Sequence, residues 1–198
     1  LRVAIVGSGA AGFYAARALL RHPGVRVDMY EKLSAPHGLI RYGVAPDHPA
    51  TKAVADQFHW PAGQQKRFAL HLGAEVGGAG ISHDRLLDEH HAVIYATGAD
   101  GERRLGIPGE ELPGVIGAVQ FVGWYNGHPD HAALTPGLTG RRAVIIGNGN
   151  VALDLARILT TAPDALAGTD IAKPALTALR GSAVDEVVVI GRRDARYA

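Results

Sequence analysis

The chain has 198 residues, of which 47% are hydrophobic and 20% charged, and it contains no cysteine. Its formal net charge of +1 gives no overall attraction to nucleic acid or to anionic membranes. Without cysteine the chain can supply no disulfide, thiolate metal site or dithiol redox relay. The apolar runs are too short to span a bilayer, and the opening residues lead straight into an apparent strand, so we expect a cytoplasmic protein without a membrane span.

The spacing of apolar residues predicts alternating strands and helices. In chain order these are a strand at 3–6, a helix at 10–21, a strand at 25–30, a helix at 51–59, a strand at 68–76, a helix at 82–90, a strand at 92–95, a helix at 117–126, a strand and helix within 143–159, a partly helical stretch at 160–183 and a strand at 184–190. Residues 101–114 carry two prolines and four glycines without an apolar face, so they are interpreted as a connection between domains.

A glycine-rich turn, GSGAAG, joins the first predicted strand to the first predicted helix. Gly7 permits the tight turn, Gly9 lets the backbone approach a pyrophosphate, and Gly12 allows the helix to pack closely on the strand. Glu31 follows the next predicted strand, where a carboxylate suits the two hydroxyls of an adenosine ribose and repels a 2′-phosphate. This site is therefore predicted to bind FAD or NAD, and not NADP.

A second copy of the pattern, GNGNVA, stands within the stretch VIIGNGNVALDLARIL. Gly147, Gly149 and Ala152 occupy its three small positions. The next predicted strand ends at Arg192 and Arg193 instead of an acid, and paired guanidiniums suit a 2′-phosphate through bidentate, charge-assisted bonds. The second site is predicted to bind NADP(H); the alternative is that the two arginines form a solvated strand end.

Two dinucleotide fingerprints in one chain predict an α/β fold made of two Rossmann-like dinucleotide-binding domains with mainly parallel sheets. We expect the N-terminal portion of an FAD-binding domain at residues 1–103 and that of an NADP-binding domain at residues 104–198, so that both are incomplete. Two different dinucleotides imply a flavin and a nicotinamide, with a hydride passing between them. Because the chain has no cysteine pair to receive the electrons, an external acceptor or oxygen must take them.

Longer motifs are more specific than either glycine turn. GSGAAGFYAA, EKLSAPHGLIRYGVAPDHPATK, YATGA, IPGEELPG, FVGWYNGHPD, GNGNVALDLARIL and GRRD together strongly resemble the adrenodoxin reductase-like NADPH-ferredoxin reductases, especially the actinobacterial members. The resemblance covers essentially the whole chain. It implies an oxidoreductase that transfers a hydride from NADPH to FAD and then single electrons to a ferredoxin-type iron–sulfur protein.

The resemblance also implies site residues. Those for FAD are Gly7, Gly9, Ala11, Glu31, Gly38, Leu39 and Val76, and those for NADPH are Asn150, Val151, Ala152, Leu153, Arg192 and Arg193. His48 is implied to lie near the flavin ring and to support hydride or proton transfer, since an imidazole titrates near neutral pH. The alternative is a structural histidine in a rigid turn between Pro46 and Pro49. Asp154, one turn after Asn150, either supports the nicotinamide site or acts as an acid that favours the helix dipole.

The chain departs from the family pattern after its paired arginines. Family members continue through a Gly-Pro pair, an acidic partner and a final segment rich in Gly and Trp that completes the flavin site. Here Asp194 and Ala195 replace the Gly-Pro pair and the sequence stops at Ala198. We therefore expect a fragment, starting at Leu1, that holds FAD poorly and reduces ferredoxin weakly.

Two other function classes stay open. A different flavoprotein reductase or an NADPH-dependent flavin monooxygenase shares both sites but uses oxygen, and a non-catalytic fragment binds nucleotides without turnover. The DEHH run at 88–91 is interpreted as a solvated helix end, and His128 and His131 as loop residues, so no metal site is predicted. The aromatic side chains interpreted as packing residues are Trp60, Phe121, Trp124 and Tyr125. The oligomeric state and the particular ferredoxin cannot be inferred from these motifs.

Overall fold

A computed structural model of the protein describes residues 1–58, 65–99 and 101–192. The chain divides into two compact units. Unit 1 comprises Leu1–Arg41 and Ala50–Asp100, and unit 2 comprises Tyr42–Pro49 and Gly101–Ala198. The short segment 42–49 is thus separated in sequence from the rest of its unit. That one part of the chain binds FAD and the other NADP stays a prediction.

Unit 1 is built on a four-stranded parallel sheet. Its strands are β1 (Arg2–Val6), β2 (Arg26–Glu31), β3 (Phe68–Leu72) and β4 (Ala92–Tyr95), arranged in the order β3-β2-β1-β4. Val6 of β1 pairs in register with Tyr30 of β2 and with Tyr95 of β4, so the carboxyl ends of these strands meet at one edge. Four of the five β1 residues are buried, as expected of a parallel strand covered on both faces.

Between these strands, the described part of the chain before residue 90 contains five helical elements. They are α1 (Ala10–Leu20), α2 (Gly38–Tyr42), α3 (Pro49–Lys52), a 3-10 helix (Ala53–Phe58) and α4 (His83–Glu89). Helix α1 buries Phe13, Ala16 and Leu20, whose spacing of three and four residues puts one apolar stripe against the sheet. Ser82 caps α4 by accepting a hydrogen bond from the backbone N–H of Arg85 at 3.2 Å.

Unit 2 contains a second parallel sheet of two strands. These are β5 (Arg142–Ile146) and β6 (Glu186–Ile190), and the helical elements are α5 (Ala118–Tyr125), a 3-10 helix (Pro129–His131), α6 (Asn150–Thr160), α7 (Pro163–Leu166) and α8 (Lys173–Arg180). The predicted packing role of Phe121, Trp124 and Tyr125 is confirmed, because all three are buried in the core of this unit. Trp60 lies outside the described residues.

Parallel sheets connected by helices confirm the predicted α/β class, but two predicted elements differ by more than their end residues. The strand predicted at 68–76 ends at Leu72, because Gly73 takes a φ of +65° and turns the chain. The helix predicted at 51–59 is instead α3 followed by a 3-10 helix to Phe58. Within the described residues from 101 to 117 the chain forms neither helix nor strand, as predicted for a connection. In the described ranges, no helix combines the length and the apolar character that crossing a membrane requires.

Candidate functional site

The turn after β1 is shaped by two close backbone approaches. Gly7 has a φ of +103°, and a Cβ there would lie 2.4 Å from the carbonyl oxygen of Ala96. A Cβ on Gly12 would lie 2.1 Å from the carbonyl oxygen of Gly7. Gly9 differs, because an added Cβ meets nothing within 4 Å and no side chain caps the helix that follows it. The turn therefore leaves open space over a helix N-terminus, which favours a phosphate group.

The start of α2 lies against this turn. A Cβ on Gly38 would lie 3.0 Å from the Cα atom of Gly9. The preceding residue, His37, has a φ of +86° and donates its backbone N–H to the carbonyl oxygen of Ser8 at 2.9 Å. The next residue, Leu39, leaves 73% of its surface exposed. The structure thus places two residues implied for FAD, Gly38 and Leu39, beside the first fingerprint.

Glu31 is buried at the carboxyl end of β2 and is already hydrogen-bonded within the protein. Its Oε2 accepts bonds from the backbone N–H of Ser8 at 3.0 Å and from the Ser8 hydroxyl at 2.6 Å. Its Oε1 accepts a bond from the backbone N–H of Leu33 at 3.0 Å. A carboxylate has about four lone-pair sites, so capacity remains for a ribose hydroxyl. Glu31 therefore fixes the fingerprint turn as well as standing where a ribose is expected.

The second turn repeats the backbone geometry of the first. The N–H of Gly147 donates to the carbonyl oxygen of Ile190 at 2.8 Å, as that of Gly7 does to Tyr30 at 2.8 Å. Gly147 has a φ of +125°, and Gly149, which precedes α6, is extended at φ −82° and ψ 178° and forms no side-chain cap. A Cβ on either glycine would meet nothing within 4 Å. The predicted duplication of the glycine-rich turn is present in three dimensions.

The two turns differ in what surrounds them. At the position matching Gly12 the second turn has Ala152, whose methyl group is buried in the core of unit 2. The residue matching Ser8 is Asn148. Its side chain packs against Gly191, where an added Cβ would lie 2.9 Å from the Asn148 amide group. Arg192 follows as an exposed residue. The partner predicted beside it, Arg193, lies outside the described residues.

Several residues implied for cofactor contact are exposed apolar side chains. Leu39, Val151 and Leu153 keep 73%, 52% and 54% of their surface exposed. A nucleotide would cover such positions, which accords with the implied contacts without testing them. Ala11 and Asn150 are also exposed, whereas Val76 is half-buried in an isolated bridge to Ile81. The binding roles of all these residues stay predictions.

In unit 2, His48 lies beside three charged side chains: its neighbour Asp47, and Asp154 and Arg157 of α6. Arg157 donates from Nε to Oδ2 of Asp47 at 2.5 Å and from Nη2 to Oδ1 of Asp47 at 2.9 Å. The same Nη2 lies 2.7 Å from Nε2 of His48, and Nη1 lies 2.9 Å from Oδ1 of Asp154. The hydrogen bond from Arg157 holds the pKa of Asp47 below its usual value. The bond to Asp47 in turn raises the pKa of Arg157, so this guanidinium stays charged.

Asp154 is the fifth residue of α6 and not part of its first turn. The interpretation that it serves the helix dipole is therefore wrong, because that effect fades within one turn. Its Oδ1 lies 3.4 Å from Nε2 of His48, besides its bond to Arg157. Burial raises the pKa of the Tyr125 hydroxyl, and the negative charge of the Asp154 carboxylate raises it further. Among the described residues that buried hydroxyl has no hydrogen-bond partner.

A second charged cluster lies in unit 1, around the buried Asp28 of β2. Its Oδ2 accepts from Nε of Arg2 at 2.7 Å and lies 3.2 Å from Nε2 of His90, and its Oδ1 lies 3.5 Å from Nε2 of His71. Burial opposes the ionisation of Asp28. The bonds and charge from Arg2 and the two histidines outweigh burial, so the net pKa of this carboxyl is lowered.

The predicted solvation of the DEHH run is wrong for His90, whose side chain is fully buried. Its Nδ1 bonds to the carbonyl oxygen of Leu86 at 2.9 Å, which turns the ring inward toward Asp28. His91, the next residue, is exposed and accepts a bond from the backbone N–H of Arg2 at 3.2 Å. In the part of the chain that the structure describes, no group of three His, Asp or Glu residues is arranged to hold a metal ion.

Comparison with known proteins assigns the family. The sequence matches the family described as pyridine nucleotide-disulphide oxidoreductase over residues 1–195. The chain belongs to this family. Within it, a probable ferredoxin/ferredoxin–NADP reductase of Mycobacterium leprae is 54% identical over 193 residues, covering 98% of this chain and 34% of that protein. The mitochondrial NADPH:adrenodoxin oxidoreductase of Homo sapiens is 51% identical over 192 residues, covering 97% of this chain and 39% of the human protein.

A solved structure agrees with these matches. Mycobacterium tuberculosis FprA in complex with NADPH has a TM-score of 0.91 and 50% identity, over 97% of this chain and 43% of that one. The resemblance to NADPH-ferredoxin reductases noted from the motifs is thereby confirmed. The chain spans 34% to 43% of the length of these relatives.

The motifs alone missed four participants in these clusters. Ser8 lies inside the fingerprint but was not assigned a partner, although a hydroxyl beside a turn that faces Glu31 is a recognisable signal. Arg157 stands three residues after Asp154, a spacing that predicts their pairing on one helix face. Its second partner, Asp47, is 110 residues away and leaves no local signal. The burial of Asp28 likewise depends on partners from other elements.

Proposed function

We propose that the protein is part of, or acts as, a flavoprotein oxidoreductase that takes a hydride from NADPH and delivers single electrons to a ferredoxin. The observation that carries this proposal is the pair of equivalent nucleotide-binding turns, each opening a helix at the end of a parallel strand. A single turn of this kind supports one dinucleotide. Two of them, with an acid after one strand pair and an arginine after the other, support two different dinucleotides.

The first turn fits FAD by its shape. The space over Gly9 and the uncapped start of α1 suit a pyrophosphate, and the close approach at Gly12 holds the helix in place. Glu31 is held by Ser8 and by the Leu33 amide, so its remaining lone pairs are oriented before a ribose arrives. A bound flavin supplies the conversion between a two-electron donor and one-electron acceptors.

The second turn fits NADPH by its charge. It has the same open space at Gly149, but Gly191 follows Ile190 at the position where Glu31 follows Tyr30 in the first turn. Arg192 lies just after β6, where the sugar of a bound dinucleotide is expected, and a guanidinium there favours a 2′-phosphate. We therefore propose discrimination in favour of NADPH over NADH at this turn.

His48 is proposed to assist hydride or proton transfer. It is half exposed, with 46% of its side chain accessible, so a substrate can reach it. Its Nε2 lies 2.7 Å from Nη2 of Arg157, a hydrogen-bond donor, and 3.4 Å from Oδ1 of Asp154, an acceptor. A general acid or base must lie within hydrogen-bond reach of the groups that exchange its proton, and both contacts meet or approach that distance.

The proposal is tested with the protein expressed from its own gene. We expect a flavin absorbance band, reduction of the flavin by NADPH faster than by NADH, and cytochrome c reduction that depends on added ferredoxin. Cytochrome c serves as the final acceptor because its reduction is easily followed. Oxygen consumption without a ferredoxin requirement would indicate a monooxygenase or oxidase, and a colourless protein that binds nucleotides would indicate a non-catalytic module.

A matched pair of variants tests the nucleotide preference. Arg192→Ala should weaken NADPH binding by about 10- to 100-fold and leave NADH binding unchanged, since a charge-assisted bond is worth about 1.5–3 kcal/mol. Arg141→Ala is the control, because Arg141 pairs with Asp185 on the surface of the same unit. Equal losses for NADPH and NADH in Arg192→Ala would show that the arginine does not read the 2′-phosphate.

A further inference from the structure

Arg157 connects Asp154 on its own helix with Asp47 and His48, which precede it by 110 and 109 residues. Its Nε and Nη2 form a fork on the two carboxylate oxygens of Asp47, at 2.5 and 2.9 Å. Its Nη1 reaches Asp154 at 2.9 Å, and Nη2 also reaches Nε2 of His48 at 2.7 Å. A planar guanidinium with five donors is the side chain that can serve all three at once.

The contact with His48 defines the state of the imidazole. A guanidinium only donates hydrogen bonds, so Nε2 of His48 must be the acceptor in the 2.7 Å contact. A neutral imidazole carries one proton, which therefore resides on Nδ1 while this contact holds. Asp154 lies 3.4 Å from the same nitrogen and offers an acceptor if Nε2 takes a proton. Arg157 thus opposes, and Asp154 favours, protonation at one defined atom.

The fork on Asp47 holds the adjacent backbone. Segment 42–49 contains Ala45 and Pro46, which are buried, and the N–H of His48 donates to the carbonyl oxygen of Ala45 at 3.0 Å. Since Asp47 is the immediate neighbour of His48, an ion pair at that residue restrains both the position and the ring orientation of the histidine. The bidentate geometry adds direction to the charge attraction.

We infer that Arg157 is a positioning residue for His48, with Asp47 as the counter-ion that holds the histidine-bearing segment on α6. This inference rests on the proposed function for the kinetic role of His48, but the geometry of the ring stands independently of it. Loss of the fork frees the segment, and loss of the donor at Nε2 lets the proton of the imidazole redistribute between its two nitrogens. Both effects misplace His48 without removing it.

Three variants separate these effects. Arg157→Gln removes the charge and the fork, Arg157→Lys keeps the charge but not the fork, and Asp47→Asn keeps the size of the partner but not its charge. Arg141→Gln is the control, because Arg141 donates from Nε and Nη2 to Asp185 in the same unit. If Arg157→Gln does not fold, Arg157→Lys and Asp47→Asn carry the test.

The first measurement is the nitrogen-15 spectrum of the histidine rings, with His48 assigned by comparison with His48→Gln. In the wild-type protein we expect an acceptor-type Nε2, as the contact with Arg157 requires. Arg157→Gln should move this resonance toward an exchanging mixture of tautomers and shift the midpoint of the pH titration of the ring. Arg141→Gln should leave both unchanged. An unaltered His48 spectrum in every Arg157 and Asp47 variant would overturn the inference.

The second measurement is single-turnover flavin reduction by NADPH in the protein expressed from its own gene. We expect the rate constant to fall by about 10- to 100-fold in Arg157→Gln, as small misplacements of a catalytic group do, and NADPH affinity to change little. The rate constant of Arg157→Lys should lie between those of the wild-type protein and Arg157→Gln. A matching loss in Arg141→Gln would show a general structural effect and count against positioning. If NADPH does not reduce the wild-type protein, the proposed function fails, while the ring spectrum still decides the positioning.

Discussion

Replacing Glu31 by Gln tests whether this acid holds the fingerprint turn in addition to any role with a ribose. The carboxylate accepts three hydrogen bonds, two from Ser8 and one from the Leu33 amide. Glutamine keeps one acceptor oxygen and turns an N–H₂ group toward at least one of these donors. Bonds to a charged group contribute about 1.5–3 kcal/mol each, so losing one or two should cost about 1.5–6 kcal/mol of local stability.

The assay is native-state amide hydrogen exchange of peptides from residues 1–41, without any nucleotide. Exchange reports the free energy of local opening in this unit and does not require the whole chain to unfold in one step. Ser8→Ala removes only the hydroxyl bond and should cost less than Glu31→Gln. The double variant should cost less than the sum of the two, since the bond between them is lost once. Wild-type protection in Glu31→Gln would refute the reasoning, and lost nucleotide binding could then be assigned to the ribose contact alone.

Three further outcomes follow from the packing and charge of single residues. Gly12→Ala should destabilise unit 1 by about 1–3 kcal/mol in urea unfolding, because its Cβ would lie 2.1 Å from a backbone oxygen, whereas Ala152→Gly at the matching position should cost only about 1 kcal/mol. Tyr125→Phe should leave the melting temperature unchanged or raise it, since the buried hydroxyl has no partner among the described residues; a clear drop would reveal one. The lowered pKa of Asp28 means that its bond to Arg2 stabilises the fold above the ordinary carboxyl pKa and is lost as the pH falls through the lowered value. Asp28→Asn should therefore flatten the acid limb of stability against pH, and an unchanged limb would contradict this.

The elements with a strong local signal were predictable from the sequence. The strand at 92–95 was predicted with the bounds that β4 has, and the two glycine turns fold as their spacing indicates. Periodicity was less informative where a single residue redirects the chain. The run FALHLGAEV alternates as a strand throughout, but a positive φ at Gly73 ends β3 after Leu72. Apolar alternation therefore sets a maximum length for a strand, and backbone conformation sets the actual one.

The candidate site was harder to predict because its partners come from distant elements. His48 and Asp154 were singled out from motifs, but the side chain that joins them, Arg157, was not. Its fork on Asp47 depends on where segment 42–49 lies, and nothing within that segment indicates which unit it belongs to. Burial of His90 is a similar case, since a polar run at a helix end normally faces water and here one ring turns inward to a carboxylate.

The distance along the chain between Asp47 and Arg157 also bears on synthesis. A ribosome adds about 5–20 residues per second, so the 110 residues between them imply that the early acid waits roughly 5–20 s for its arginine to emerge. During that interval the nascent segment around His48 has no α6 to rest on. A chaperone or a protease that binds nascent chains could reach this segment during that interval. The segment becomes protected when Arg157 has been synthesised and pairs with Asp47.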